Sequence, residues 1–181
     1  MLPTPVVRGR QNPLHVGFAY RLTRFRKAAE LSRSALSDAV GMARNTASQL
    51  ERKERIPRLE TVEKLARVLG VSPCLLAYGV EIPCEQSAAE CWTGLPQRLH
   101  VLRQERGLSR RELGRRSGTS DNFVQMTESG ATEPNIAKVE QLAKALQVSV
   151  CWLAFGLGRR ELPVRSRPRS DTPPAPAAPS A

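Results

Sequence analysis

The sequence predicts an all-α protein: two tandem copies of one five-helix domain, with disordered basic ends. Three observations carry this. Residues 18–79 align with 95–156 at a constant offset of 77 and without a gap, and 22 of the 62 positions are identical. Apolar residues recur at helical spacing between Ser, Gly and Pro punctuation, with no strand-like alternation. Aromatic residues are 4% of the 181, too few for a sandwich or barrel, whose strands draw on aromatic and β-branched side chains. A period of 77 exceeds any solenoid unit, so it marks duplication of a whole small domain.

Each helix of the copy has its own signal. Leu22, Phe25 and Ala29 fall at i, i+3 and i+7 and give the first helix its apolar stripe. Ser32 opens the second helix, and its counterpart Ser109 starts the capping-box run Ser109-Arg110-Arg111-Glu112. Gly41 and Gly118 follow that helix, where a tight turn needs a positive φ. The third helix is expected from about Arg44 in copy one, and from Asp121 behind an N-cap Ser120 in copy two. Pro57 and Pro134 break the chain before a fourth helix with the stripe Val62, Leu65, Ala66, Leu69 or Val139, Leu142, Ala143, Leu146. Ser72-Pro73 and Ser149 open the fifth.

The resulting division is 1–17, a flexible N-terminal arm; 18–79, domain one; 80–94, a linker; 95–156, domain two; and 157–181, an Arg/Pro/Ala-rich tail read as disordered. Charge follows these boundaries. Domain one carries 12 basic and 6 acidic side chains, domain two 9 and 6, and the linker only Glu81, Glu85 and Glu90. The whole chain has a formal net charge of +11. A chain this basic calls for an acidic partner, of which nucleic acid is the commonest. No apolar run approaches the ~20 residues of a bilayer crossing, and the N-terminus lacks the charge and apolar stretch of a signal peptide. The expected location is the bacterial cytoplasm, in association with the nucleoid.

Two short helices joined by a glycine-containing turn make a helix-turn-helix. In copy one, Leu31-Ser32, Leu36, Gly41, Glu51, Pro57 and Leu69-Gly70-Val71-Ser72 stand in order. In copy two, Gly107-Leu108-Ser109, Leu113, Gly118, Glu128-Ser129-Gly130 and Leu146-Gln147-Val148-Ser149 do the same. This ordered set, seen twice, resembles the lambda-repressor/Cro-type (XRE) helix-turn-helix family. The resemblance implies a buried ion pair between the first helix and the end of the recognition helix, at Arg26 and Glu51 and again at Arg103 and Glu128. Breaking such a pair costs roughly 3–5 kcal/mol, because a buried charge is left alone.

The resemblance further implies that the third helix lies in the major groove. Its base-reading places in copy one are Arg44, Asn45 and Gln49, with Thr46 nearby. Arg donates two bonds to guanine, and Asn or Gln pairs bidentately with adenine. Arg33, Lys53, Arg55 and Arg58 then take phosphates, as do Arg110 and Arg111 of copy two. Six such contacts imply a log–log salt slope of roughly −5. Copy two departs at the reading places: Asp121, Phe123 and Met126 replace Arg44, Thr46 and Gln49, leaving Asn122 as its one candidate. Thr127 replaces the core residue Leu50, which predicts weaker packing there.

Four further expectations follow. No P-loop, paired-glycine loop, metal signature or nucleophile constellation surrounds His15 or His100, so neither an enzyme nor a cofactor is expected. Cys74 and Cys151 occupy equivalent places and read as small core residues, while Cys84 and Cys91 flank the linker without ligand spacing. Leu75, Tyr78, Trp152 and Phe155 make the fifth helices unusually apolar. They either each close their own domain's core, or also pack on each other so that one chain mimics a dimer, or on a second chain or another protein. The leading function is a sequence-specific regulator of double-stranded DNA, of repressor type, with copy one reading and copy two assisting. The alternative is an antitoxin-like adaptor whose second copy docks a protein.

Overall fold

The computed structural model describes residues 13–82 and 94–161. The readings of the outer arm, the central linker and the far tail fall outside these residues. Among the described residues there are ten α-helices and no strand. Copy one holds α1 Phe18–Ala28, α2 Arg33–Ala39, α3 Thr46–Glu51, α4 Leu59–Leu69 and α5 Pro73–Tyr78. Copy two repeats them as α6 Leu95–Glu105, α7 Arg110–Ser117, α8 Asp121–Glu128, α9 Ile136–Leu146 and α10 Val150–Phe155. The apolar stripes turn inward. Leu22, Leu36, Leu50, Val62, Leu65 and Leu76 are fully buried in copy one, as are Leu99, Leu113, Val124, Val139, Leu142 and Leu153 in copy two. Burial of each such side chain is worth about 1.5–3 kcal/mol, which is what holds helices of six to eleven residues that would be marginal alone.

Caps decide where the equivalent helices begin. The Ser120 hydroxyl accepts from the Phe123 amide at 3.0 Å, so α8 starts at Asp121. Copy one has Ala43 at that place and no side-chain cap. Its third helix therefore starts at Thr46, two residues later than the sequence suggests, and Arg44 and Asn45 lie in the turn before it. Ser37 of α2 supplies the missing acceptor from outside the helix: its buried hydroxyl accepts from the Ala47 amide at 3.1 Å. The counterpart of Ser37 is Gly114, where a Cβ would stand 2.9 Å from the Thr119 carbonyl oxygen, so the two copies close the same turn by different means. Gly41 and Gly118 take φ of +72° and +67°, as the turn requires.

The expectation of weak packing at Thr127 is corrected. Thr127 is fully buried and its hydroxyl donates to the Phe123 carbonyl at 2.8 Å, so the polar atom is satisfied.

The copies pack on each other about a pseudo-two-fold axis. A residue can touch its own equivalent only where it lies on such an axis. Three pairs do. Arg58 and Asn135 form an antiparallel bridge. Tyr78 and Phe155 face each other with ring centroids 6.3 Å apart and planes tilted by 51°. The buried free thiols of Cys74 and Cys151 adjoin each other. The apolar fifth helices are thus used within the chain: Tyr78, Trp152 and Phe155 are all buried there. The Tyr78 hydroxyl donates to the Ile136 carbonyl at 3.1 Å, and the Ile136 amide donates to the Pro57 carbonyl at 3.1 Å. Trp152 stacks under the Arg160 guanidinium, 5.4 Å from its ring centroid.

Segments assigned to the arm, linker and tail contribute to this body at their inner ends. Leu14–Gly17 forms a 3₁₀ turn against α9, where the Leu14 and His15 amides and the His15 ring all reach the Glu140 carboxylate. Val80 and Ile82 pack on the core, with Gly158 close against Ile82. The Ser149 amide donates to the Arg160 carbonyl at 2.9 Å.

Symmetry breaks at the acidic pair Glu63 and Glu140, which are equivalents. Glu140 is gripped by the 3₁₀ turn. Glu63 lies in the equivalent cleft with Glu60, Glu133 and Arg98. Desolvation there, followed by the Glu133 charge, pushes its carboxyl above the ordinary value. A raised folded-state pKa means the charged form costs stability, a penalty absent at acid pH that sets in as pH rises through the carboxylate range. Glu63→Gln is expected to raise the urea midpoint at pH 7, with the gain vanishing on acidification below pH ~4. Urea titrations of both proteins across that range check it.

Candidate nucleic-acid interface

The helix-turn-helix of copy one is fixed by a single guanidinium. Arg26 on α1 donates from Nε to Glu51 Oε1 at 2.6 Å and from Nη2 to Oε2 at 3.2 Å, while Nη1 donates to the Leu31 carbonyl at 2.7 Å. It thereby joins α1, the entry to α2 and the end of α3. Arg33 adds a second bond to Glu51 Oε2, also 2.6 Å. Burial pushes the Glu51 carboxyl up, but hydrogen bonds and charge from Arg26 and Arg33 outweigh it and hold it below the ordinary value. Copy two repeats the arrangement. Arg103 binds Glu128 at 2.5 and 3.2 Å and the Leu108 carbonyl at 2.9 Å, with Arg110 on Glu128 at 3.0 Å and His100 on Glu128 at 3.4 Å.

Arg44 and Asn45 are exposed in the turn preceding α3, and Gln49 is half-buried one turn further on. Lys53, Arg55 and Arg58 are exposed on the loop behind the helix. Arg44, Lys53, Arg55 and Arg58 take part in no ion pair within 4.0 Å among the described residues. Arg55 and Arg58 line the cleft at the pseudo-two-fold axis, with Asn135 and Lys138 of the other copy. Thr46 departs from expectation. It is 9% exposed and lines the same cleft as Phe123, its equivalent, and so is less open than Arg44 and Asn45.

The equivalent face of copy two is chemically different. Asp121, Asn122 and Met126 are exposed, and the loop behind α8 is Gly130-Ala131-Thr132-Glu133. Its arginines are mostly answered by carboxylates. Arg115 and Arg116 both pair with Glu112, whose carboxyl they hold down to about 2. Arg110 pairs with Glu128. Arg111 is exposed and in none of these pairs.

Sequence reasoning missed this neutralisation, although part of it was open to view: Glu112 stands three and four residues before Arg115 and Arg116, the spacing at which helical side chains meet. It also missed the left-handed backbone of Lys53, which sits at φ +63° where its counterpart Gly130 has φ +75°. A non-glycine residue there carries backbone strain of order 1 kcal/mol, and the Lys53–Gly130 pairing in the aligned copies was the available sign.

Among the described residues no group of His, Cys, Asp and Glu has metal-binding geometry, and no helix is long and apolar enough to cross a membrane.

No curated protein is significantly similar to the chain. Among solved structures, a hypothetical transcription factor, NHTF, from Neisseria shares 29% identity over 47% of this chain and 91% of its own, with a TM-score of 0.35. The Helix-turn-helix family matches twice, over residues 22–76 and 99–153, each match running from the first helix to the fifth. The chain belongs to the lambda-repressor-like (XRE) helix-turn-helix family and carries its domain in two tandem copies.

Proposed function

We propose that the protein is a sequence-specific, repressor-type regulator that binds double-stranded DNA as a single-chain counterpart of a dimer. Copy one reads the major groove with Arg44, Asn45 and Gln49 and holds the backbone with Lys53, Arg55 and Arg58. Copy two sits over the neighbouring half-site and adds backbone contact through Arg111, with Arg33 and Arg110 contributing what charge their glutamates leave. Repression then needs no further contact, since a chain laid across a site occludes it. Such a regulator works beside the chromosome, in the bacterial cytoplasm.

One observation carries the reading: uncompensated cations surround the third helix of copy one, whereas carboxylates answer most of those of copy two. Phosphate attraction requires free positive charge, because each neutralised phosphate releases a counterion. The strain at Lys53 supports it, since the loop keeps a cation where glycine would sit more easily. The cleft positions of Arg55 and Arg58 support the dimer-like placement, because phosphates between two half-sites lie opposite the axis. In such assemblies the half-sites are ~34 Å apart.

Arg44→Ala or Gln49→Ala is expected to weaken binding to the preferred site by about 1–3 kcal/mol and to relax choice at one base pair. Asp121→Ala is expected to leave the preference unchanged. Sites selected from random DNA, compared by gel shift for each variant, check this. Equal loss of discrimination from both copies overturns the division of labour, and no sequence preference at all favours the adaptor reading.

The salt response is expected to be shallower than six full contacts would give. Four unpaired cations, Lys53, Arg55, Arg58 and Arg111, imply a log–log slope of roughly −4. Titrating affinity against salt checks it, and Glu112→Gln, which frees Arg115 and Arg116, is expected to steepen the slope.

A further inference from the structure

Cys74 and Cys151 are the second residues of α5 and α10, equivalent in the two copies and 0% and 1% exposed. One turn further along the same helices, the equivalent residues Tyr78 and Phe155 also face each other, at 6.3 Å. Two successive self-equivalent pairs place the axis along the α5–α10 seam and set the two thiols against each other across it. We propose that Cys74 and Cys151 form a dithiol that closes to a disulfide, a covalent staple between the two helix-turn-helix units.

The chemistry fits the symmetry. A disulfide has the same atoms on either side of its midpoint, so two cysteines related by a two-fold axis present their β-carbons to the bond in equivalent directions. In the closed fold the pair is unreactive. The adjoining Cys151 thiol and then burial hold the Cys74 thiol well above its ordinary value, and the thiol is not the attacking species. The staple therefore closes while the seam is open, during folding or when the copies part. The oxidant is a small-molecule disulfide. One cysteine thiolate attacks it, forming a mixed disulfide and expelling a thiolate. The second cysteine then attacks the first cysteine's Sγ in that mixed disulfide, which forms the Cys74–Cys151 bond and expels the other small-molecule thiolate. The chain loses two electrons and two protons, and two small thiols are produced. The bond links residues 77 apart, so it removes much of the freedom of the unfolded chain.

The full-length chain with Cys84→Ser and Cys91→Ser leaves this pair alone. That background is needed because no Lys or Arg separates Cys74, Cys84 and Cys91, so tryptic mapping cannot resolve them. The protein is unfolded in urea with reductant and refolded in oxidised and reduced glutathione. Expected are a chain lighter by two hydrogens, no attached glutathione, both thiols closed to alkylation after denaturation, and a urea midpoint above that of the reduced chain. Adding Cys151→Ser is expected to abolish the midpoint shift. A chain that refolds to native far-UV circular dichroism with both thiols open to alkylation, or with glutathione held on either cysteine, overturns the proposal. So does a closed bond with no rise in midpoint. No DNA enters the test, so its outcome is separate from that of the proposed function.

Discussion

The seam between α5 and α10 is the constraint on which the assembled chain depends. Each copy can close its own core with helices of six to eleven residues, but a 62-residue unit buries little. Tyr78, Phe155, Trp152, Cys74 and Cys151 are all buried, and Tyr78 meets Phe155 across the copies. The interaction is chiefly apolar area, fixed in register by two directional bonds, Tyr78 to Ile136 and Ile136 to Pro57. Apolar contact alone would allow sliding. Buried bonds between named backbone groups do not, since each would leave an unsatisfied partner if the seam shifted.

From that seam the arrangement propagates outward through two identical arginines. Arg21 donates to the Leu76 and Ala77 carbonyls, and Arg98 to those of Leu153 and Ala154. These are carbonyls that a helix end leaves without an internal partner. The first helix of each copy is thus tied to the fifth, and through Arg26 or Arg103 the same first helix is tied to the third. The chain of contact from axis to exposed face runs through guanidinium groups held against carbonyl or carboxylate oxygens, with apolar packing between them.

Much of this was legible in the sequence. The duplication, the helix order and the capping serines were readable because they depend on local chemistry repeated twice, while the Arg–Glu places followed from the family resemblance. The start of α3 was not, since it depends on Ser37, ten residues away, replacing a cap that Ala43 lacks. The burial of Thr46 was equally hidden: a small polar residue on a recognition helix gives no local sign of it. The seam itself was readable only as one option beside closure of each copy's own core and contact with a second chain, because apolar fifth helices announce only that something covers them. The neutralised arginines of copy two needed side-chain geometry, except at Glu112, where helical spacing alone would have served.

Duplication explains why the two halves can differ so far in chemistry. In a dimer of identical chains, any substitution appears at both half-sites, so a residue that spoils reading on one side spoils it on the other. Within one chain that coupling is absent. Asp121 can stand opposite Arg44, Gly130 opposite Lys53, and Met126 opposite Gln49 without touching the first reading face. The α5–α10 seam has diverged less where the two copies meet, with Cys facing Cys and Tyr facing Phe, although Arg58 opposes Asn135 further along the axis. The outer faces differ in charge while the α5–α10 seam keeps its character. A single-chain reader with one specific half and one supporting half has this physical form, since specificity needs one set of base contacts and placement needs only the common seam.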